Sequence, residues 1–262
     1  MINPLSKTVL VTGATSGIGK ATATLFAKRG YNLIITGRRE KKLHDLKDKF
    51  IKKYAIKCKS MNFDVRNRDD IKKAWSNLDQ DWKKVDILIN NAGLAKGLHP
   101  IHKGRVSDWE QMIDTNIKGL LYMTRLISPL MVKNKRGHII NVCSTAGHDV
   151  YPNGNVYSAT KYAVDALTKS IRIDLHKFGI RVGQVSPGHV ENTEFAQIRF
   201  DGDEKKADIY SDFKPLSSKD VAEVIYFMAT RKRHINIQDV LVMGTQQASA
   251  TIIDRSGRPN EK

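Results

Sequence analysis

Short apolar runs alternate along the chain with longer stretches in which apolar residues recur every three or four positions. The runs read as strands: "TVLVTG" (8–13), "YNLIITG" (31–37), "IKCKSMNFDV" (56–65), "VDILINNAG" (85–93), "GHIINVCS" (137–144), "IRVGQVSPG" (180–188) and "VLVMG" (240–244). The helical spacing between them predicts helices over 17–28, 40–54, 68–78, 107–133, 156–177 and 218–230. Continuously apolar strands are buried on both faces, so the pattern calls for an α/β architecture, a seven-stranded parallel sheet with helices on both sides. No Pro/Gly-rich linker, repeat or low-complexity tract divides residues 1–262, and a single doubly wound domain is the expectation. The one long irregular segment, 188–216 with "FDGDEKKAD", is of a length that compact domains keep for function, and a substrate lid is expected there.

Composition changes this picture little. Lys plus Arg number 44 against 27 Asp plus Glu, a formal charge of +17, which raises nucleic acid as a partner. In "EKKLHDLKDKFIKKY" (40–54), however, Leu43, Leu46, Phe50 and Tyr54 recur at helical spacing and leave the lysines on an ordinary solvated face. The basic residues are dispersed and lack a stacking-aromatic motif, so no nucleic-acid partner is expected. The two cysteines, Cys58 and Cys143, lie in strand-like runs and point to a reducing compartment. The N-terminal "MINPLSKTVLVTG" has no long apolar core, and no stretch approaches about 18 uninterrupted apolar residues. A cytoplasmic protein without a membrane span is expected. No His/Cys/Asp cluster suggests a metal.

The candidate chemistry starts after the first strand, where "TGATSGIGK" spaces Gly13, Gly17 and Gly19 as G-x-x-x-G-x-G. A strand-to-helix turn without Cβ atoms lets backbone N–H groups and the positive helix end approach a diphosphate. Gly13, Ala14, Thr15, Ser16, Gly17 and Ile18 are therefore the candidate wrap around a dinucleotide, in a Rossmann-type fold. The second strand ends in "ITGRRE", where an NAD site of this type places an acid on the ribose 2′-hydroxyl. Here stand Arg38 and Arg39, whose guanidiniums match a 2′-phosphate; the alternative is a pair of surface arginines at a helix start. The expected cofactor is NADP.

In "VYSATKYA" Tyr157 and Lys161 stand at i and i+4, on one face of a helix. A phenol of pKa about 10 needs roughly 4 kcal/mol of depression to act as a base near neutrality. One ammonium at about 5 Å provides roughly 3 kcal/mol at an effective dielectric of 20 but under 1 kcal/mol in water. The pair therefore works only in a partly dry cleft, with help from the positive charge of an oxidised nicotinamide. Ser144, at the carboxyl end of a strand, is placed to hold a substrate oxygen. Asn116, in "DTNIKG", is either a buried amide satisfied by backbone or an organiser of water or Lys161.

These stretches, with "NFDV", "NNAG", "STAG" and "SPGHVENT" in order along the chain, resemble the short-chain dehydrogenase/reductase family. The resemblance implies a catalytic tetrad of Asn116, Ser144, Tyr157 and Lys161. It implies further that Asp64 and Val65 lie at the adenine and Asn91 by the ribose. Pro187, Gly188, Val190 and Thr193 would lie around the nicotinamide, and Lys161 would bond the nicotinamide ribose. Longer stretches, among them "MIDTNIKGLLYMTR" and "HINIQDVLVMGTQQAS", look most like the NADP-dependent 3-hydroxy acid dehydrogenases of the serine and allo-threonine type. His189 departs from the apolar residue usual after the Pro-Gly pair, and Cys143 matches no catalytic position and reads as a small buried hydrophobe.

The implied reaction is hydride transfer at the hydroxyl-bearing carbon of a small 3-hydroxy acid. Tyr157 would move the proton, Ser144 would bond the substrate oxygen and Lys161 would lower the Tyr157 pKa. A carboxylate substrate needs a counter-charge; Arg199, in the lid, is the candidate, against the alternative of an exposed loop arginine. The rivals are a reductase of another carbonyl, such as a 3-oxoacyl thioester or ketone, and a non-catalytic nucleotide- or nucleic-acid-binding module. The family resemblance also implies a homotetramer built on helices 107–133 and 156–177, with the tail from "QQAS" onward reaching a neighbour.

Overall fold

The computed structural model describes residues 7–191, 193–202 and 213–256. Seven parallel strands form the main sheet: β1 (Thr8–Val11), β2 (Asn32–Gly37), β3 (Cys58–Asn62), β4 (Ile87–Asn90), β5 (Gly137–Val142), β6 (Ile180–Pro187) and β9 (Asp239–Val242). Their spatial order is β3-β2-β1-β4-β5-β6-β9. This is the doubly wound arrangement, with a strand-order reversal beside β1 that opens a crevice at the carboxyl ends.

The alternation of side chains along β1 builds both faces. Val9 and Val11 enter one core with Phe26 of α1 (Gly17–Lys28), Phe50 of α2 (Glu40–Tyr54) and Ile225 of α8 (Ser218–Thr230). Leu10 enters the other, with Trp75 of α3 (Arg68–Ser76) and with Met123 and Ile127 of α5 (Leu120–Lys133). Capping sets the helix starts: Asn67 Oδ1 accepts from the Asp69 and Asp70 amides, and Ser217 and Asp220 form a reciprocal capping box. In α2, Leu43, Leu46 and Phe50 are buried while Tyr54 is only half-buried.

Two departures from the sequence pattern bear on function. The helix expected over 107–133 is α4 (Val106–Ile113) and α5 joined by one π-helical turn, Asp114–Gly119. At this wider turn the Asn116 amide bonds backbone outside the helix, and Gly119 lies so near Val65 that a Cβ would come within 2.9 Å of its side chain. Periodicity alone does not reveal such long-range demands. The lid contains structure as well. β7 (Val190–Glu191) pairs in parallel with β8 (Leu216–Ser217), and a short α7 (Phe195–Arg199) lies between them. Within the expected lid, Asn192 and residues 203–212 lie outside the described residues, as do 257–262 of the tail.

The remaining helix, α6 (Asn155–Leu175), lies against β6 and carries the Tyr157/Lys161 face. Among the described residues no helix is long and apolar enough to cross a membrane, and no three His, Cys, Asp or Glu residues gather as a metal site.

Phe26 is fully buried and meets Tyr31 and Tyr226 edge-on, at ring separations of 5.1 and 5.3 Å. Phe26→Ala is expected to cost about 3–5 kcal/mol in urea unfolding, through lost transfer energy and an unfilled cavity. A loss under about 1 kcal/mol would show that this aromatic group does not anchor α1 to α8.

Candidate active site

A cavity of about 840 Å³ runs along the carboxyl edge of the sheet, from the glycine turn to the lid. Arg38, Arg39, Asp64 and Val65 line one end, while Ser144, Tyr157, Lys161 and Arg199 line the other. Gly13, Thr15, Ser16, Gly17, Ile18, Asn91, Pro187, Gly188, Val190 and Thr193 lie between. Two expected residues stand outside this lining, Ala14 and Asn116.

The glycine turn needs its glycines. Gly13 and Gly17 have φ of +65° and +50°, and a Cβ at Gly19 would sit 2.3 Å from the Gly13 carbonyl. Asn91 Nδ2 shapes the turn by donating to the carbonyls of Thr12 (2.8 Å) and Gly13 (3.2 Å). Ala14 departs from expectation. Its side chain is fully buried in the core and its N–H donates to the Thr36 carbonyl at 2.9 Å, which leaves no group for a diphosphate. The rest of the turn fits a dinucleotide, since a cradle without Cβ atoms opens into the cavity at the start of α1.

Beyond it, Asp64 pairs with Arg66 (2.7 Å) and Arg38 (3.7 Å). Arg38 is half exposed. The Arg39 guanidinium does not stand open as the sequence suggested. Its Nε and Nη2 donate to Thr15 Oγ1 at 3.1 and 2.7 Å, and Nη1 grips Glu194 at 2.8 and 2.6 Å.

At the other end Tyr157 and Lys161 are 8% and 6% exposed, so the dry cleft that their chemistry requires exists. Burial pushes the Tyr157 phenol up to about 12, while a hydrogen bond from Ser144 and the field of Arg199 act the other way. The lowering expected from Lys161 is tied to the charge of an oxidised nicotinamide as well as to dryness, and among the chain's own groups burial is the larger influence on the phenol. Lys161 Nζ donates to the Val142 carbonyl at 2.9 Å, lies 5.9 Å from the Tyr157 ring centre, and is itself shifted down by burial. Burial outweighs charge here, and the phenol keeps its proton at neutral pH. Ser144 follows β5 in extended conformation and accepts from the Ala146 N–H at 3.1 Å.

Asn116 is 2% exposed and fully used. Its Oδ1 accepts from Leu94 N at 2.9 Å, and its Nδ2 donates to Leu94 O (2.8 Å) and Thr160 Oγ1 (3.0 Å). Thr160 in turn donates to the Tyr157 carbonyl at 2.7 Å. The amide thus ties the loop after β4 to the first turns of α6 from behind the cavity.

Arg199 is buried rather than exposed. At 7% exposure its Nε donates to the Gly97 carbonyl (3.3 Å) and Nη2 to Tyr151 Oη (2.8 Å), with Cζ 5.7 Å from the Tyr157 ring centre. No carboxylate among the described residues pairs with it. His189 lines the same space, meets Phe213 edge-on at 5.6 Å, and is held down to about 4 by burial and the fields of Arg255 and Arg199. It is neutral at physiological pH. Cys143 is buried, with Sγ 3.3 Å from the Lys161 carbonyl, and burial raises its pKa. The tail folds back on this same chain's lid stems: Gln247 Oε1 accepts from His189 N and Gln246 Oε1 from Lys214 N, both at 2.9 Å.

Residues 7–204 match the family model for short chain dehydrogenase. The chain belongs to this family. It is similar to the NADP-dependent 3-hydroxy acid dehydrogenase YdfG of Salmonella typhi, 46% identical over 243 residues that cover 92% of this chain and 96% of that protein. Sulfoacetaldehyde reductase 2 of Chromohalobacter salexigens is 41% identical over 254 residues, 96% of this chain and all of that one. Among solved structures, a closed form of serine dehydrogenase complexed with NADP+ superimposes with a TM-score of 0.89 at 44% identity, covering 93% of this chain and 97% of the other.

Sequence reasoning about this short-chain dehydrogenase missed Glu194, Tyr151 and Phe195. Phe195 meets the Tyr157 ring edge-on at 5.7 Å. Glu194 stands next to Thr193 in "NTEF", yet its partner Arg39 is 155 positions away, a contact that no local spacing encodes.

The raised phenol pKa is open to titration. Tyr31, Tyr151 and Tyr157 each stand near 12, all principally through burial. An acid whose folded pKa exceeds its unfolded value of about 10 contributes stability that is complete below pH 10 and is lost as pH rises through about 12. Near-ultraviolet phenolate titration of Tyr157→Phe against the parent chain should therefore remove a group that ionises near 12. Loss of one that ionises near 10 or below would refute the burial argument.

Proposed function

We propose that this short-chain dehydrogenase transfers hydride reversibly between NADP and the hydroxyl-bearing carbon of a small 3-hydroxy acid of the serine, allo-threonine, 3-hydroxyisobutyrate or 3-hydroxypropionate class. One observation carries the substrate class: Arg199 is buried beside Tyr157 with two neutral acceptors and no carboxylate partner among the described residues. A buried guanidinium without a counter-ion is costly, and a small carboxylate seated on it would lie beside Tyr157, whose ring centre is 5.7 Å from Arg199 Cζ. The similarity to a 3-hydroxy acid dehydrogenase and to a serine dehydrogenase supports the same choice.

When bound, NADP supplies the nicotinamide carbon that takes or gives the hydride. The glycine turn would hold its diphosphate, and Arg38 and Arg39 its 2′-phosphate. Asp64, Val65 and Asn91 would face the adenosine half, and Pro187 through Thr193 the nicotinamide end. Tyr157 moves the substrate proton. The phenol is protonated at neutral pH and so holds the proton that reduction needs, but burial makes it a weaker acid, and both directions gain from added positive charge near Lys161. Ser144 bonds the substrate oxygen. Asn116 acts as a positioning residue through Leu94 and Thr160, and the lid shuts water out. The reading includes a cytoplasmic homotetramer, supported by exposed Leu121, Tyr162 and Ile173 on α5 and α6.

Turnover of 3-hydroxy acids, 2-hydroxy acids, simple alcohols and sulfoacetaldehyde with NADP and NAD tests the proposal. Tyr157→Phe is expected to lower kcat by about 10²–10⁴ with NADP binding intact. Arg199→Ala is expected to raise KM for serine and 3-hydroxyisobutyrate at least about tenfold while sparing a neutral alcohol. Equal losses for charged and neutral substrates would remove Arg199 from carboxylate recognition, and kcat/KM with NAD equal to that with NADP would refute the cofactor.

A further inference from the structure

Glu194 closes the cationic corner at the end of β2. Both of its carboxylate oxygens accept from Arg39 Nη1, and Lys42 Nζ donates to Oε1 at 3.3 Å. Against the upward push of burial, the bonds from Arg39, Ser16 and Lys42 hold its carboxyl below the usual range. The carboxylate is thus an anion at neutral pH, in the corner that two arginines and the glycine turn make attractive to a phosphate.

The corner is continuous with the cofactor cradle. Thr15, which receives two bonds from Arg39, belongs to the glycine turn, and Thr193 lies so close to Gly17 that a Cβ there would come within 3.2 Å of its methyl. The Arg39 and Glu194 side chains are about one-third exposed, at 37% and 33%, so an incoming ligand can reach them. A phosphate monoester offers three acceptor oxygens and about −1.5 to −2 charge, against two oxygens and a single charge on Glu194. Two anions cannot share one guanidinium face without repulsion, and the stronger displaces the weaker.

We infer that Glu194 is an intramolecular competitor for the 2′-phosphate subsite, a carboxylate that holds Arg39 and Lys42 until the 2′-phosphate of NADP expels it. Glu194 thereby sets how strongly the enzyme separates NADP from NAD, because a ligand with a free 2′-hydroxyl leaves the carboxylate in place. The inference rests on the proposed NADP site, and fragments that lack nicotinamide separate the two ideas.

Calorimetric titration of the full-length protein with 2′,5′-ADP and with 5′-ADP provides the test. Glu194→Gln is expected to tighten 2′,5′-ADP about three- to fivefold, the size of a partly exposed ion pair, and to change 5′-ADP less than about twofold. On the unaltered chain, 2′,5′-ADP but not 5′-ADP should speed hydrogen exchange at the α7 amides, since the Ile198 N–H donates to the Glu194 carbonyl. Glu194→Gln binding 2′,5′-ADP no better than the parent, or exchange that is the same with both fragments, would overturn the competitor role. If the parent bound both fragments equally and Arg39→Ala changed neither, the NADP site itself would fall instead.

Discussion

The Arg199 guanidinium is held at 7% exposure by a carbonyl and a phenol, with no carboxylate partner among the described residues, and much of the cleft is arranged around that charge. It lies at the end of α7, whose docking depends on Gly97 N–H bonding the Arg199 carbonyl at 2.9 Å. Asp201 then ties the same segment to Lys96 and Arg105. This described part of the lid is thus held by a backbone hydrogen bond and by two salt bridges of Asp201, with the guanidinium 5.7 Å from the Tyr157 ring centre. Low local polarity has two consequences at once. It raises the phenol, and it makes the cation costly until an anion arrives.

A second constraint lies beneath the cleft. Parallel strands place their carboxyl ends on one edge, and β4 and β5 carry Asn90 and Asn141 in register there. Asn90 Nδ2 donates to Asn141 Oδ1 (2.9 Å) and Thr124 Oγ1 (3.0 Å), and Asn141 Nδ2 donates to Thr168 Oγ1 (2.8 Å). This buried ladder joins two strands to α5 and α6. Together with the Asn116 clamp it ties α6 down at Thr160 and Thr168 through buried amides.

Each end of the cleft therefore pairs a lid residue with one outside the lid: Arg199 with the Tyr157 region, and Glu194 with Arg39. One lid residue is a cation beside the reacting groups and the other an anion in the cationic corner. Only a few positions separate them, and α7 spans the gap.

Continuous apolar runs and helical spacing sufficed to read seven parallel strands, five of the six expected helices as single elements and the glycine turn, because these depend on local periodicity and on the steric freedom of glycine. Tyr157, Lys161 and Ser144 were legible by the same means, as a helix face and a strand end. What only tertiary structure decided was which polar groups meet and how dry they are. Arg199 reads as a loop residue until the lid folds it in. Arg39 reads as an open cation until Glu194 occupies it, and the dryness that the Tyr157–Lys161 pair requires also raises the phenol to about 12, which spacing does not show. Charge pairing and desolvation depend on contacts across 100 or more positions, as between Arg199 and Gly97, and no spacing along the chain contains them.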